Sequence, residues 1–317
     1  MKIFYVSAGA FPTDKANGYQ VSQMLQAFCQ AGADAYLIHY DPRRPNCRQV
    51  SPESIYELRS SLNRITYDVP SFLLRGLSFR LTGPVASKFL VYTQAINARR
   101  IILLHRNEVP DVIYTRHPVI ANFLRWTLPM QYKRKLCVEV HSLPEQANRF
   151  SRDVKILRRI PRVVTVTQAM CDRLVCAGLD RSQILVAHDA VDEHVFDGPC
   201  DQSHARRKLR LPERGKNISY VGRFSTMGHE KGIPEMIRAG ARLLPHYPDI
   251  YFTFVGGPED AVCTYRKLID SMGLPQHKFI FPGFRPSQEV KAFLDAADIL
   301  LMAYPNVHHF AFNASPL

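Results

Sequence analysis

No two cysteines in this chain are spaced CxxC. The seven present, Cys29, Cys47, Cys137, Cys171, Cys176, Cys200 and Cys263, are scattered over 317 residues. That scatter gives neither a disulfide framework nor a structural zinc knuckle, so the thiols are expected to be small buried hydrophobes or inert surface groups. No GxGxxG follows the first β-like segment, which weakens a dinucleotide-dehydrogenase reading. No apolar run approaches the roughly 20 residues that span a bilayer. Met1-Lys2-Ile3-Phe4-Tyr5-Val6 leads straight into a strand pattern instead of a signal peptide, so the protein is expected to be cytoplasmic. Acids are scarce, 28 against 41 Lys and Arg, which leaves a net charge of +13 and a pI near 9.5.

The basic excess is uneven. Eleven Lys and Arg lie between Arg43 and Arg106 against Glu53, Glu57 and Asp68, and Arg149, Arg152, Lys155, Arg158, Arg159 and Arg162 meet only Asp153. Such fields attract anionic membranes, nucleic acid or acidic glycans, or remain as solvated faces. The segment Phe72–Leu81, apolar with isolated arginines, suits either a peripheral contact with an anionic membrane or a core helix with snorkelling arginines. A nucleic-acid reading has the charge but no motif and no run of aromatics, and no nucleic acid is expected.

Strand patterns at 2–7, 35–40, 112–115, 136–140, 163–166 and 184–187 alternate with helical stretches at 17–31, 119–128 and 168–177. Alternation of this kind predicts an open parallel sheet with helices on both faces. A polar, basic stretch at 200–216 reads as a linker between a domain over 1–199 and a second over 217–317. The second shows strands at 218–221, 251–255, 279–281 and 299–303, with helices at 233–244, 261–272 and 288–296. Ending at Leu317, roughly a hundred residues after the linker, it is expected to be incomplete.

Within that second pattern, Gly222 permits a sharp exit from a strand ending Tyr220-Val221, and Gly232-Ile233-Pro234 opens a helix with proline in its first turn. Arg223 and Lys231 then flank a helix N-terminus, where free N–H groups and the dipole favour an anion. Two fixed cations there suit a diphosphate, a guanidinium gripping two oxygens and an ammonium supplying a point charge. Gly256-Gly257 and Gly283-Phe284-Arg285 follow the next strands and are read as ligand approaches or plain turns. His188, Asp189, Asp192 and His194 sit on one turn without a ligand pattern, and no metal is expected.

The run Gly222-Arg223 to Lys231-Gly232 resembles the second domain of retaining family 4 glycosyltransferases, whose fold is GT-B: α/β, with two Rossmann-like, doubly wound parallel-sheet domains. The two cations stand slightly further apart here than in most members. The resemblance implies a sugar transferred with retention from a nucleotide-diphosphate donor to an acceptor hydroxyl, with no other cofactor, in cell-envelope or polysaccharide biosynthesis. It implies a glycan or lipid-linked acceptor. It places Gly18 beside the diphosphate, His141 at a strand end as the catalytic contact to the sugar, and Arg223, Lys231, Gly257, Gly283 and Arg285 around the donor. Arg116 and His117, at an equivalent strand end, become acceptor contacts, while Glu139 is read as lying on the other side of its strand. Family members also hold the donor with two glutamates; Asn313 falls at the first and the chain ends before the second. A C-terminally truncated enzyme and a catalytically inactive GT-B-like binding or partner protein are therefore both expected readings.

Overall fold

Strands built from near-continuous apolar residues, Leu136–Val140 and Ile250–Val255, are buried at every position. That pattern belongs to parallel sheets covered on both faces. The computed structural model describes residues 1–13, 16–41, 51–56, 58–67, 84–191, 198, 200–226 and 228–313. Phe72–Leu81, Cys47, Asp192, His194 and Ser315–Leu317 lie outside them. The chain is α/β and divides into two units, Met1–Ala190 with the segment from Ala311, and Val191–Phe310. Each carries a Rossmann-like parallel sheet, the GT-B architecture at the level of its sheets.

The first sheet comprises β1 (Lys2–Ala10), β2 (Asp34–Tyr40), β3 (Asn63–Tyr67), β4 (Val112–Thr115), β5 (Leu136–Val140), β6 (Arg162–Thr165) and β7 (Ile184–Val186). They run parallel in the order β3-β2-β1-β4-β5-β6-β7. β3 is an edge strand with mostly exposed side chains, so the apolar pattern that marks its neighbours is missing and only pairing to β2 defines it. The helix Ala16–Gln30 ends as its sequence directs. Gly32 takes φ +81° and the Ala33 N–H donates to the Phe28 carbonyl at 2.9 Å, a Schellman closure. One core cluster is mainly aliphatic, with Ile38, Ile102, Ile113, Leu124, Val138 and Val163 fully enclosed, while a second gathers the rings of Tyr5, Phe11, Tyr56 and Tyr114.

In the second unit β8 (Lys216–Val221), β11 (Ile250–Val255), β12 (Phe279–Gly283) and β13 (Ile299–Leu300) form a parallel sheet in the order β12-β11-β8-β13. A two-residue hairpin, β9 (Ser225–Thr226) with β10 (His229–Glu230), stands apart from it. Its core is aromatic: Phe252 stacks on Phe279 and Phe254 on Phe281, both at 5.3 Å between centroids. Such cross-strand aromatic pairs are the unit of sheet stabilisation.

The segment expected as a linker contains the helix Gln202–Lys208, capped by Asp201, whose carboxylate accepts from the His204 N–H at 2.8 Å. Ala205 and Leu211 bury against Val255, Phe293 and Ala296. Arg206 is buried as well; it donates to the carbonyls of Ala296, Glu213 and Gly215 and pairs with Asp298. A basic stretch reads as solvated until such partners are known, and two of them, Ala296 and Asp298, lie some 90 residues away in the chain.

Candidate functional site

The second sheet reverses its winding between β8, its first strand, and β13, its fourth. Ligands of open α/β sheets bind at such switch points, outside the carboxyl ends of the strands. The strand ends there are tied into one rim: the Gly222 N–H donates to Val255 O at 2.9 Å, Gly256 N–H to Gly283 O at 3.0 Å, and Phe224 N–H to Gly257 O at 3.1 Å. Gly256 has φ +147°, and a Cβ on it would stand 1.9 Å from the Gly222 carbonyl oxygen, so only glycine lets the two strand ends approach this closely.

Arg223 is exposed on this rim and Lys231 half-buried beside it. Burial, and then the Arg223 charge, hold the Lys231 ammonium below its ordinary pKa. The Lys231 Nζ lies 5.3 Å from the Tyr304 ring centroid. Among the described residues neither cation pairs with a carboxylate. The structure thus brings together the two residues chosen from sequence, and leaves them uncompensated.

The helix they flank, Ile233–Leu243, departs from expectation. Its opening amides are not free: Glu230 accepts from the Gly232 N–H at 2.7 Å and the Ile233 N–H at 3.0 Å, and also from the Tyr265 hydroxyl at 3.0 Å. Pro234 contributes no donor. A carboxylate from the preceding turn therefore already occupies the N-terminus, and the cations remain as the anion-binding groups. Gly232 has φ +85°, with a Cβ that would lie 2.0 Å from Ala303 O; it seats the helix start on the segment after β13. Glu230 is the residue that the sequence reading passed over. Its place two and three residues before two donor amides is the capping signal that could have found it.

Gly257 and Gly283 lie on the same rim, and the two have different reasons to be glycine. A Cβ at Gly257 would press to 2.7 Å from Phe284, whereas Gly283 has φ +81° with open space around it. Arg285 is exposed, donates to Pro282 O at 2.9 Å and stands 3.6 Å from Glu289.

In the first unit the reversal falls between β1 and β4. His141, following β5, hydrogen-bonds the Glu139 carboxylate. Residues two apart share a strand face, so Glu139 does not lie on the other side of its strand as the sequence reading had it. The buried Glu139 also accepts from the Tyr114 hydroxyl at 2.5 Å and lies 3.8 Å from Arg116 Nε. Burial disfavours its charge, but His141, Arg116 and Tyr114 outweigh that and hold its pKa below the ordinary range. Arg116 reaches on to Asn17 at 3.2 Å and Gln20 at 2.8 Å, and Gln20 to Asp189 at 2.6 Å. Asn17 and Gln20, one turn apart at the helix start, were not singled out from sequence. A cavity of about 200 Å³ opens here, lined by Ser7, Asn17, Arg116, His117 and His141 among others.

Gly18 is buried in this region, and a Cβ there would meet the Tyr56 hydroxyl at 2.4 Å and the Thr13 backbone at 2.9 Å. Packing of Tyr56, which donates to Thr13 O at 2.8 Å, accounts for this glycine without a diphosphate. His188 bonds the Val166 carbonyl and Asp189 accepts from Gln20, so the two residues serve separate structural contacts.

Two parallel α/β sheets, with cations at the switch point of the second, are the frame against which the comparisons with known proteins stand. Residues 201–313 match the family model "Glycosyl transferases group 1". Over 234 residues, 72% of this chain and 50% of the relative, it is 29% identical to a 2-deoxystreptamine glucosyltransferase of Streptomyces kanamyceticus. It is 27% identical to a D-inositol 3-phosphate glycosyltransferase of Acidothermus cellulolyticus over 56% of this chain and 42% of that one. The chain thus spans about half the length of these curated relatives. Among solved structures, Anabaena HepE in complex with UDP superposes with a TM-score of 0.65 at 18% identity, over 99% of this chain and 78% of that one. A glycosyltransferase from Rickettsia africae gives 0.66 at 17%, over 96% and 72%. The chain is thus similar in sequence to glycosyltransferases over part of its length, and shares their fold.

Proposed function

We propose that the protein is a retaining, family 4 glycosyltransferase that moves a sugar from a uridine diphosphate donor to an acceptor hydroxyl. One observation carries this reading: among the described residues Arg223 and the half-buried Lys231 stand without a carboxylate partner at the switch point of the second sheet. Uncompensated cations in a partly desolvated position are strongly attractive to a diphosphate. The choice of uridine is supported by the related fold of HepE, solved with UDP and with UDP-glucose.

The bond between the anomeric carbon and the diphosphate oxygen breaks while the acceptor oxygen bonds to the same face of that carbon. The acceptor proton passes to the departing phosphate oxygen. Arg223 and Lys231 neutralise the charge growing on the diphosphate, so the reaction needs no metal for that task. One such group is worth about 3–4 kcal/mol of barrier. His141, fixed by Glu139, orients the sugar. A glycan or lipid-linked acceptor of cytoplasmic envelope-polysaccharide assembly is supported by the basic balance of the chain, since such acceptors are often anionic. Among the described residues no helix is long and apolar enough to cross a membrane.

Thermal stability measured against UDP, GDP, ADP and their common sugars tests the donor. Ligand at a hundred times its dissociation constant stabilises by about 2.7 kcal/mol. A shift selective for UDP species and lost in Arg223→Ala is expected; the absence of any nucleotide shift would favour an inactive binding protein. Proton NMR of the transferred anomeric centre then reads retention directly.

A further inference from the structure

Between the two clamp cations the chain inserts the hairpin β9–β10, to which the donor reading gives no task. The Lys231 N–H extends its pairing, donating to Phe224 O at 2.9 Å. Side chains alternate along such a strand, so Glu230 turns onto the helix amides while His229 and Lys231 share the other side. There they meet the segment that follows β13. The His229 ring lies 6.3 Å from that of His309, nearly parallel at 13°, and 6.3 Å from Phe310, which it meets edge-on. Phe310 stacks on Tyr304 at 4.6 Å, and Tyr304 carries Lys231 over its ring. All of these residues belong to the second unit.

The surroundings of this histidine pair are cationic. His309 is half-buried and His229 exposed. Burial first, then His229 and Lys231 from the hairpin and His308 from its own segment, hold the His309 pKa below the ordinary 6.5. Arg223 acts on Lys231 in turn, and burial raises the pKa of the Tyr304 hydroxyl. The adjoining acid, Glu230, is committed to backbone amides, and among the described residues neither His229 nor His309 forms an ion pair. An anion delivered beside Lys231 reverses that balance, since an opposite charge within about 4–6 Å raises a histidine pKa by about 1–3 units. We propose that His229 and His309 are the proton-accepting arm of the anion site, so that a nucleoside diphosphate binds with uptake of a proton and is held more tightly in mild acid. The assignment rests on the donor reading of Arg223 and Lys231. Linkage makes the effect reciprocal: what the bound diphosphate does for the imidazolium, the imidazolium does for the diphosphate. With a higher pKa in the complex, the gain in affinity is full below the free value and is lost as pH rises through the bound one.

UDP-glucose is the probe, because its diphosphate has no terminal phosphate monoester to titrate near pH 6, as UDP has. Calorimetric titration in two buffers of different ionisation heat counts the protons. About half to one proton is expected to enter with each UDP-glucose at about pH 6.5, and almost none at about pH 8.5. Affinity is expected to rise about tenfold over that interval and a little below it, the change that a pKa shift of about one unit produces. His229→Gln/His309→Gln is expected to bind UDP-glucose as the natural protein does at the alkaline end, and to lose both the uptake and the slope. His229→Gln alone, at an exposed position of the hairpin, is expected to lower the uptake as well, and decides the matter if the double variant unfolds. Uptake that persists in the variants, proton release, or binding without any proton change would each overturn the proposal and leave the donor reading standing. Absence of UDP-glucose binding at every pH would remove the uridine donor and this proposal with it.

Discussion

The two sheets share the same winding around their first strands, third-second-first-fourth, yet they handle charge at the reversal in opposite ways. In the first unit the charged groups answer one another: Glu139 holds His141, Tyr114 and Arg116, and Arg116 continues to Asn17 and Gln20. In the second, the available carboxylate, Glu230, is turned onto backbone amides, and Arg223 and Lys231 are left open. A closed network fixes geometry; an open pair of cations draws a ligand to complete it. The two units thus differ in what their reversals offer, a closed constellation in one and open cations in the other.

The largest expected effect attacks the open side. Arg223→Ala or Lys231→Ala should lower transfer by about 10²–10³-fold, equivalent to about 3–4 kcal/mol, with little change in the stability of the unliganded protein. Steady-state kinetics and melting of each variant without ligand check this. A variant that melts early but transfers normally would show that the cations support the fold, and the contrast between the two rims would fail.

The next effect lies deeper in the first unit. His39 is completely buried, with Phe11 edge-on at 5.1 Å. Burial lowers its pKa from the ordinary 6.5 to about 4. The neutral form is the one the fold accepts, so this stability is present above about pH 6.5 and is lost as pH falls towards 4, by roughly 3 kcal/mol at the lower end. Chemical denaturation across that window should show the slope in the natural protein and a flatter profile in His39→Leu. An unchanged slope would move the pH dependence elsewhere.

What the sequence showed and what it hid follows from the same distinction. Strand and helix order were readable because parallel strands are near-continuous apolar runs, and because glycines such as Gly32 and Gly232 sit where φ must be positive. Lys231 and Arg223 were readable because they lie close in the chain on either side of one turn. The side of the strand that Glu139 takes was legible in its two-residue spacing to His141 and was misread, whereas Tyr114, Arg116 and, beyond Arg116, Asn17 and Gln20 come from β4, the turn after it and the first helix, where no local spacing announces them. Arg206 was hidden because two of its partners, the Ala296 carbonyl and the Asp298 carboxylate, are remote in sequence. Glu230 was in plain view, but a carboxylate beside two expected phosphate ligands does not look like part of an anion site until its amide partners are seen.

Glu139→Gln tests whether the closed network depends on charge. The amide keeps the size and an acceptor for Tyr114 but leaves His141 and Arg116 without their anion, at a cost of about 1.5–3 kcal/mol. Because the Glu139 pKa is held below its ordinary 4.5, its contribution is present above that value and disappears as pH falls through the lower folded one. The stability deficit of the variant should therefore shrink in acid. A deficit that stays constant down to pH 3 would mean that shape, not charge, holds the strand end.

The smallest effect separates the two jobs at the second rim. Glu230→Ala strips the cap from Gly232 and Ile233 and removes the partner of Tyr265, which should cost about 1–2 kcal/mol in stability. The same change frees two amides and withdraws a negative charge beside the cations, so UDP should bind more tightly, by the 0.3–1 kcal/mol or so that a charge gains at a helix N-terminus. Stability and affinity then move in opposite directions, which calorimetric melting and UDP titration measure independently. If both fall together, the capped turn is what holds Lys231 in place, and the clamp is a property of the whole loop rather than of its two cations.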